Sequence, residues 1–558
     1  MPNAPYAIEN FIALYEKSFR ENWDLKALTY YPTGESLTYG EYATRIAKIH
    51  LLFEQIGVKH GDKIAICGKD TIPWVTMFFA TVTYGAIIVP ILPDFNPADV
   101  AHIVNHSDAE FFFVDNAIWE HLDASALINI KGVVTLDKQE VVFEAEGTEL
   151  QRDLRLLERR FNEKYPDGYD AAKVVYHHYD NDEVREINYT SGTTGFSKGV
   201  MLTGENLAGN VCFALYKKLH YRTSRTLALL PLAHAYGCAF DMLSPLAAGS
   251  HIYLLGKIPS PKVLLKALKE VKPNLLLCVP LVLEKIYRSQ ILPMISKGAI
   301  RWTLVVPLLD SYIYSVIRKK LIEAFGGEFE EIIVGGAPLN KEVEEFLHKI
   351  KFPFTVGYGM TECGPLISYT PWREFVPGSS GRILPTMEVM ALSEHPDAVP
   401  GEICVKGSNV MKGYYKNPEA TALVLDKDGW LKTGDMGTLS SDGTIFLRGR
   451  SKTMILTANG QNIYPEEIEA KLNNMPFVAE SLVIERDGKL VGLVYPDYEA
   501  LDNMGIVSPE EREEAMEKIR KDLNTIVAPY EQITKIILQP QEFEKTPKRS
   551  IKRFLYTQ

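Results

Sequence analysis

The segment Tyr189-Thr190-Ser191-Gly192-Thr193-Thr194-Gly195-Phe196-Ser197-Lys198-Gly199-Val200 interleaves small hydroxyl side chains with glycines and closes on a lysine. It offers backbone N–H groups, hydroxyls and one cation to an anion, which is the equipment of a phosphate loop. It is not the Walker type, which needs glycine directly before the lysine and Ser or Thr after it; here Ser197 precedes and Gly199 follows. Composition alone fits a Ser/Thr/Gly surface loop equally well. Farther on, Gly357-Tyr358-Gly359-Met360-Thr361-Glu362 joins an aromatic face able to stack on a base to hard oxygens of the kind Mg²⁺ takes beside phosphates. Core packing for Tyr358 and a solvated carboxylate for Glu362 are the plainer readings of the same residues. Asp435 follows Thr433-Gly434 in a turn, where a carboxylate either accepts two hydrogen bonds from a ribose diol or is an ordinary loop aspartate. His234 follows an apolar run and a proline, a setting where a lone histidine is commonly a satisfied core or capping residue.

The order of these blocks carries more than their composition. The Tyr189–Val200 segment closely resembles the loop that marks the adenylate-forming superfamily of acyl-CoA synthetases, adenylation domains and firefly-type luciferases. Leu230-Pro231-Leu232-Ala233-His234-Ala235-Tyr236-Gly237 resembles its histidine-containing substrate segment, and Gly335-Gly336-Ala337-Pro338-Leu339 its adenine-side loop. Tyr358–Glu362 resembles its Y-G-x-T-E block. Asp428-Gly429-Trp430-Leu431-Lys432-Thr433-Gly434-Asp435 resembles the block typical of fatty acyl-CoA synthetases, and Gly449-Arg450-Ser451-Lys452 resembles the hinge. The likeness runs from about Leu37 to the C-terminus, with the blocks in the family's order.

The resemblance implies ATP-dependent activation of a carboxylic acid, a medium- or long-chain fatty acid, to an acyl-adenylate and then to a thioester with CoA. ATP, Mg²⁺ and CoA are the implied cofactors and co-substrates. It places Thr190, Ser191, Gly192, Thr193, Thr194, Gly195 and Lys198 at phosphate, Gly336, Ala337, Pro338, Tyr358 and Gly359 at adenine, Glu362 at Mg²⁺ with Thr361 beside it among the catalytic residues, and His234 near the carboxylate. Asp435 goes to ribose, with Arg450 as a second contact. Lys452 is the pivot about which a small C-terminal domain turns between half-reactions, and Gly460 belongs to a loop facing the pantetheine channel. One departure stands out. The family ends on roughly K-T-x-x-G-K-I-x-R, whose second lysine serves adenylation. Here the tail reads Lys545-Thr546-Pro547-Lys548-Arg549-Ser550-Ile551-Lys552-Arg553, which puts Ser550 at that lysine. Lys548 is the first candidate to replace it, because Pro547 can set a turn; Lys552 and an intrinsically slow adenylation are the alternatives. Delivery to a carrier-protein phosphopantetheine, an aryl-acid substrate and a weakened nucleotide-binding protein remain as rival readings.

The supporting elements fit an α/β chain. The chain has 558 residues, too many for one ordinary core, and its 46% hydrophobic and 23% charged residues exclude wholesale disorder. A net charge of -11 disfavours nucleic acid as a partner, and nothing suggests more than peripheral membrane contact. Cys67, Cys212, Cys238, Cys278, Cys363 and Cys404 form no C-x-x-C pair, so neither a zinc site nor a disulfide framework is expected, and a reducing cytosol fits. The N-terminus shows no basic-then-apolar secretion signal. Thr71–Pro93 is uncharged and long enough to suggest a membrane span, but its prolines and Gly85 divide it into a buried helix at Val75–Tyr84 and a strand at Ala86–Ile91. Helices alternate with short apolar strands (Lys63–Cys67, Phe111–Val114, Gly132–Leu136, Thr226–Pro231, Leu275–Val279, Glu331–Val334), which implies parallel sheets in α/β layers. His177 and His178 read as polar surface rather than metal ligands, and Asp241 as a helix-start aspartate. After Gly378 short strands suggest a β-rich or barrel-like unit. The remainder reads as an α+β domain, with strands Ala479–Glu485 and Lys489–Tyr495 framed by two helices. The expected fold is α/β: a large N-terminal domain of two layered α/β subdomains plus a small β-barrel-like subdomain (1–448), a hinge (449–453), and a small mobile α+β C-terminal domain (454–558).

Overall fold

The computed structural model describes residues 4–190, 197–256, 260–295, 309–456, 462–486, 488–546 and 551–557. These divide into two compact units, one of residues 4–190, 197–388 and 406–431, the other of residues 389–405 and 432–557.

Two large sheets form the first unit. One has eight strands in the order Gly413–Tyr414, Lys198–Thr203, Val184–Thr190, Ile87–Ile91, Lys63–Cys67, Ala109–Val114, Gly132–Thr135, Val141–Glu144. Its middle strands are parallel and its flanks antiparallel. The helices Ile72–Tyr84 and Pro97–His106 make the crossovers that parallel neighbours require. Thr71 caps the first of them through the Trp74 N–H, and Gly85 ends it at φ +100. A side chain at Gly85 would also strike the Tyr179 ring, 2.5 Å from an added Cβ, so both backbone and packing demand glycine there. The uncharged stretch is thus a buried helix followed by a strand, and among the described residues no helix is long and apolar enough to cross a membrane.

The other sheet has seven strands in the order Phe354–Val356, Glu331–Val334, Leu275–Cys278, Arg225–Ala228, His251–Leu254, Lys26–Tyr30, Glu35–Thr38, parallel except for the last. Leu227, Leu276, Ile332, Val334 and Val356 anchor one core cluster on it. Each such side chain contributes about 1.5–3 kcal/mol by leaving water. The strand expected over Thr226–Pro231 runs only Arg225–Ala228, because the N–H groups of Leu229 and Leu230 donate to the Asp241 carboxylate instead of a neighbouring strand. The helix Leu150–Lys164 buries Phe161 against Ala47 and Leu51. His177 and His178 are exposed, His178 lying 3.2 Å from Glu16, and no metal-holding group of His, Cys, Asp or Glu occurs among the described residues.

Met387–Leu392, Gly401–Gly407, Leu431–Leu439 and Ile445–Arg450, most of whose residues belong to the second unit, form a four-stranded sheet. The last strand starts at Ile445 because Ser440–Thr444 before it is a turn, closed by Gly443 N–H donating to Ser440 O at 3.0 Å. Val478–Arg486 and Lys489–Pro496 make an antiparallel hairpin, and Lys535–Leu538 runs parallel to its second strand. Helices Pro465–Leu472 and Pro509–Ile526 bring Ile468, Leu472, Met516, Ile519 and Leu523 onto Val483, Leu490 and Val494. All six cysteines are buried, and none is in a disulfide.

Candidate active site

Thr190 ends one strand and Lys198 begins the next, and the two residues face each other in an antiparallel ladder. The Ser/Thr/Gly segment therefore joins paired strands; its residues Ser191, Gly192, Thr193, Thr194 and Gly195 lie outside the described residues, as do Gly460, Lys548 and Ser550. The short strand Gly413–Tyr414 extends the ladder, with Tyr414 opposite Val200 and the Tyr415 N–H donating to Gly199 O at 2.7 Å. This places the Tyr414 ring 4.7 Å from Lys198 Nζ. Its hydroxyl donates to Glu362 Oε1 at 2.9 Å. Burial, with the Glu362 carboxylate beside it, pushes the Tyr414 phenol far above its ordinary range, so the hydroxyl stays a donor. One side chain thus touches both a cation and a carboxylate that the sequence had singled out separately. Tyr414 itself was missed. Nothing in Gly413-Tyr414-Tyr415-Lys416 distinguishes it, since its importance comes from a strand pairing across some two hundred residues of chain.

Glu362 is held at its backbone as well. It lies in the 3₁₀ turn Thr361–Cys363, and its carbonyl accepts the Met411 N–H at 2.8 Å. Fully buried Asn210 clamps the same turn, donating to Cys363 O at 3.3 Å and accepting from Leu366 N at 2.9 Å. Thr361 is buried in that turn.

Three further predicted groups sit at one edge of the seven-stranded sheet. Arg225–Ala228, Glu331–Val334 and Phe354–Val356 run in the same direction, and their carboxyl ends lead into His234, into Gly336-Ala337-Pro338 and into Tyr358-Gly359 respectively. The carboxyl edge is where open parallel sheets bind ligands. Gly336, Ala337 and Pro338 are exposed there, whereas Tyr358 is buried. Gly357 N donates to Val334 O at 2.9 Å and the Tyr236 hydroxyl to Ile333 O at 3.0 Å, which ties these connections to the strand between them. His234 caps the short helix Ala235–Gly237, its Nδ1 accepting the Tyr236 N–H at 3.2 Å. An added Cβ at Gly237 would come within 2.4 Å of Pro231 O, so glycine lets this helix press against the loop it follows.

Asp241 corrects the sequence reading. It is no helix-start residue but lies inside the π-helical turn Cys238–Leu243, 1% exposed. Burial pushes its carboxyl up to about 8.

In the second unit the two predicted ribose contacts meet directly. Asp435 and Arg450 are cross-strand neighbours, with Nε to Oδ1 at 2.8 Å; the Asp435 side chain is 9% exposed and that of Arg450 57%. The Ser451 N–H donates to Gly434 O at 2.9 Å, and exposed Lys452 follows. In the tail, Lys552 Nζ lies 3.4 Å from Glu544.

The donor set suits Mg²⁺: a half-buried carboxylate and a hydroxyl, with no third acidic or histidine ligand grouped around them among the described residues. Mg²⁺ binds through one or two carboxylates and completes its shell with phosphates and water.

Residues 15–415 match the model of the AMP-binding enzyme family, and residues 452–558 match its C-terminal domain. The chain belongs to the AMP-binding enzyme family. Within it, the chain is 27% identical over 489 residues to the long-chain-fatty-acid–CoA ligase FadD15 of Mycobacterium bovis, spanning 84% of this chain and 78% of that one. It is also 27% identical over 545 residues to 4-coumarate–CoA ligase 1 of Arabidopsis thaliana, spanning 94% and 87%. Among solved structures, the anthranilate CoA ligase AuaEII in complex with anthranoyl-AMP superposes with a TM-score of 0.77 at 19% identity, over 99% of this chain and 97% of that one. A benzoate CoA ligase from Burkholderia xenovorans does so with a TM-score of 0.74 at 20% identity, over 99% and 100%. These structures establish the AMP-binding enzyme fold of a large N-terminal and a small C-terminal domain.

Proposed function

We propose that this protein is an ATP-dependent acid–CoA ligase that forms an acyl-adenylate, releases pyrophosphate, and then forms the thioester with release of AMP. The observation that carries the reading is the Lys198–Tyr414–Glu362 arrangement beside the hydroxyl- and glycine-rich segment. A carboxylate is a poor acyl donor, because its leaving group is oxide. Attack of its oxygen on the α-phosphorus of ATP breaks the bond to pyrophosphate and leaves AMP, a good leaving group. Charge grows on phosphate oxygens in that step, and preorganised cations lower its barrier. Lys198 supplies one such charge, steadied over the Tyr414 ring. Glu362 and Thr361 would hold Mg²⁺, which supplies charge neutralisation at the phosphates. Tyr358 and Gly336-Ala337-Pro338 take adenine, and Asp435, with Arg450 beside it, takes the ribose diol. His234 takes the carboxylate end of the substrate. In the second step the CoA sulfur forms a bond to the acyl carbon and AMP leaves. Lys452 is the pivot between these half-reactions, joining a large domain of residues 1–448 to a small one of residues 454–558, and Gly460 faces the pantetheine.

For the acid we propose a medium- or long-chain fatty acid. The Asp428–Asp435 block supports it, as does the likeness to relatives named as long-chain ligases. An aryl acid is the second reading, favoured by the longer match to the 4-coumarate ligase. Pyrophosphate exchange over a panel of fatty and aryl acids tests the first half-reaction, and CoA-dependent AMP release tests the acceptor against carrier-protein phosphopantetheine. Exchange with fatty acids and CoA-dependent AMP release is the expected result. No exchange with any carboxylate would overturn the reading.

A further inference from the structure

Buried polar groups from three other places in the first unit converge on the loop that carries His234. Asp241 Oδ2 accepts the N–H groups of Leu229 and Leu230, each at 3.2 Å. Asp70 Oδ1 accepts the Leu232 N–H at 3.1 Å. Asn188 donates to Ala233 O at 3.1 Å and to Glu186 Oε1 at 2.7 Å. Residues 229–233 are therefore gripped from a π-helical turn, from the segment before the helix Ile72–Tyr84, and from the strand Val184–Thr190. Asp241 is 1% exposed and Glu186 fully buried, and Asp70 is half-buried.

These carboxylates are expensive to hold. Among the described residues none of the three is ion-paired, and the groups facing them are acidic or neutral. Asp70 faces Asp115, Asp241 faces Asp70, Tyr236 and Cys278, and Glu186 faces Cys238 and Asn188. Burial accordingly pushes Asp70 and Glu186 up to about 7 and Asp241 to about 8. Packing alone would be served better by apolar side chains of similar volume. What apolar groups cannot do is fix peptide N–H groups that leave a strand without a partner.

We propose that Asp241, Asp70 and the Glu186–Asn188 pair are positioning residues that fix the backbone of residues 229–233, so that His234 meets the carboxylate substrate. The proposal rests on the adenylation reading for its substrate, and on geometry alone for the grip.

Two measurements separate those parts. Amide hydrogen exchange on Asp241→Ala should show Leu229 and Leu230 losing about tenfold or more of their protection, and Asp70→Ala the same at Leu232, with the C-terminal hairpin unchanged. Asp241→Asn keeps an oxygen facing the two N–H groups, so it should restore that protection, and it provides a folded variant if the alanine is too damaging. In pyrophosphate exchange, Asp241→Ala should raise the carboxylate KM or lower kcat about tenfold while shifting the ATP KM less than about twofold. The wild-type pH profile should bend between about 7 and 8, and Asp241→Asn should remove the part of that bend near about 8 while leaving what Asp70 and Glu186 contribute near about 7. Unchanged protection at Leu229 and Leu230 in a folded Asp241→Ala, or equal rises of both KM values, would overturn the proposal. A wild-type protein that exchanges pyrophosphate with no carboxylate would overturn the adenylation reading instead, and amide exchange would still decide the grip.

Discussion

Tyr414→Phe is the sharpest test of the candidate site, because it deletes one hydroxyl and leaves the ring under Lys198. The lost bond is 2.9 Å long, part-buried, and accepted by a carboxylate. A hydrogen bond to a charged group contributes about 1.5–3 kcal/mol. At about 1.4 kcal/mol per factor of ten, full expression in the transition state means a loss of about tenfold to 150-fold in pyrophosphate exchange. Tyr414→Leu removes the ring too and forfeits a cation–π contact of about 0.5–2 kcal/mol, a further factor of about two to thirty. The cause is checked by a double-mutant cycle. In a Glu362→Gln background Tyr414→Phe should cost less than about threefold, because the charged acceptor is already gone. Exchange within twofold of wild type for folded Tyr414→Phe, or strictly multiplicative losses in the cycle, would refute the idea that Tyr414 couples Glu362 to Lys198.

Asp435→Ala should raise the ATP KM more than the carboxylate KM, and should change stability by less than about 1 kcal/mol because its partner Arg450 is 57% exposed; steady-state kinetics and denaturant melts read both. Lys452→Pro should spare pyrophosphate exchange and block thioester formation, since proline fixes φ near about −65°; equal loss of both half-reactions would count against a pivot. Lys548→Ala should lose pyrophosphate exchange yet keep thioester formation from supplied acyl-adenylate, while Lys552→Ala keeps both. Stability should fall as pH rises from about 4 to about 8, because Asp241 holds its proton up to about 8 when folded and only to about 3.8 when unfolded. Asp241→Asn should flatten that slope in denaturant melts.

How much of this was legible follows from where the information sits. Lys63–Cys67 and Glu331–Val334 could be read to the residue, because apolar runs and flanking turns are local signals. Candidate site residues could be named because their blocks occur in a known order, and the seven-stranded sheet explains why three of them are separated: His234, Gly336-Ala337-Pro338 and Tyr358-Gly359 each follow a different strand to its carboxyl edge. Tyr414 and the grip of Asp70 and Asp241 were not legible. Their partners lie on other strands and loops, and a short polar side chain looks the same in sequence whether it holds a loop or faces water. The shortened strand at Ala228 has the same origin, because the competing acceptor comes from a turn that follows it in the chain.

The tail shows how a structure sharpens a departure found in sequence. A lysine missing at Ser550 has two explanations at the level of letters, a true replacement or a slipped alignment. Both flanks are fixed. Lys545 and Ile551 form an antiparallel bridge. Arg553 is clamped beyond it, with Nη1 at 2.8 Å from both Glu469 oxygens and Nη2 donating to Val483 O at 3.0 Å. Glu469 is buried, so losing Arg553 would strand a carboxylate and cost about 3–5 kcal/mol. With Lys545, Ile551 and Arg553 all at the positions the pattern assigns them, a slip would have to be undone within the five intervening residues. We read the register as holding, which puts Ser550 where the resemblance expects the second lysine. Lys552 pairs with Glu544, and its N–H donates to Glu544 O at 2.8 Å, which ties it to the bridge rather than to a reaction. That leaves Lys548 as the cation to test first, and an enzyme with slow adenylation if its alanine variant exchanges pyrophosphate like the wild type.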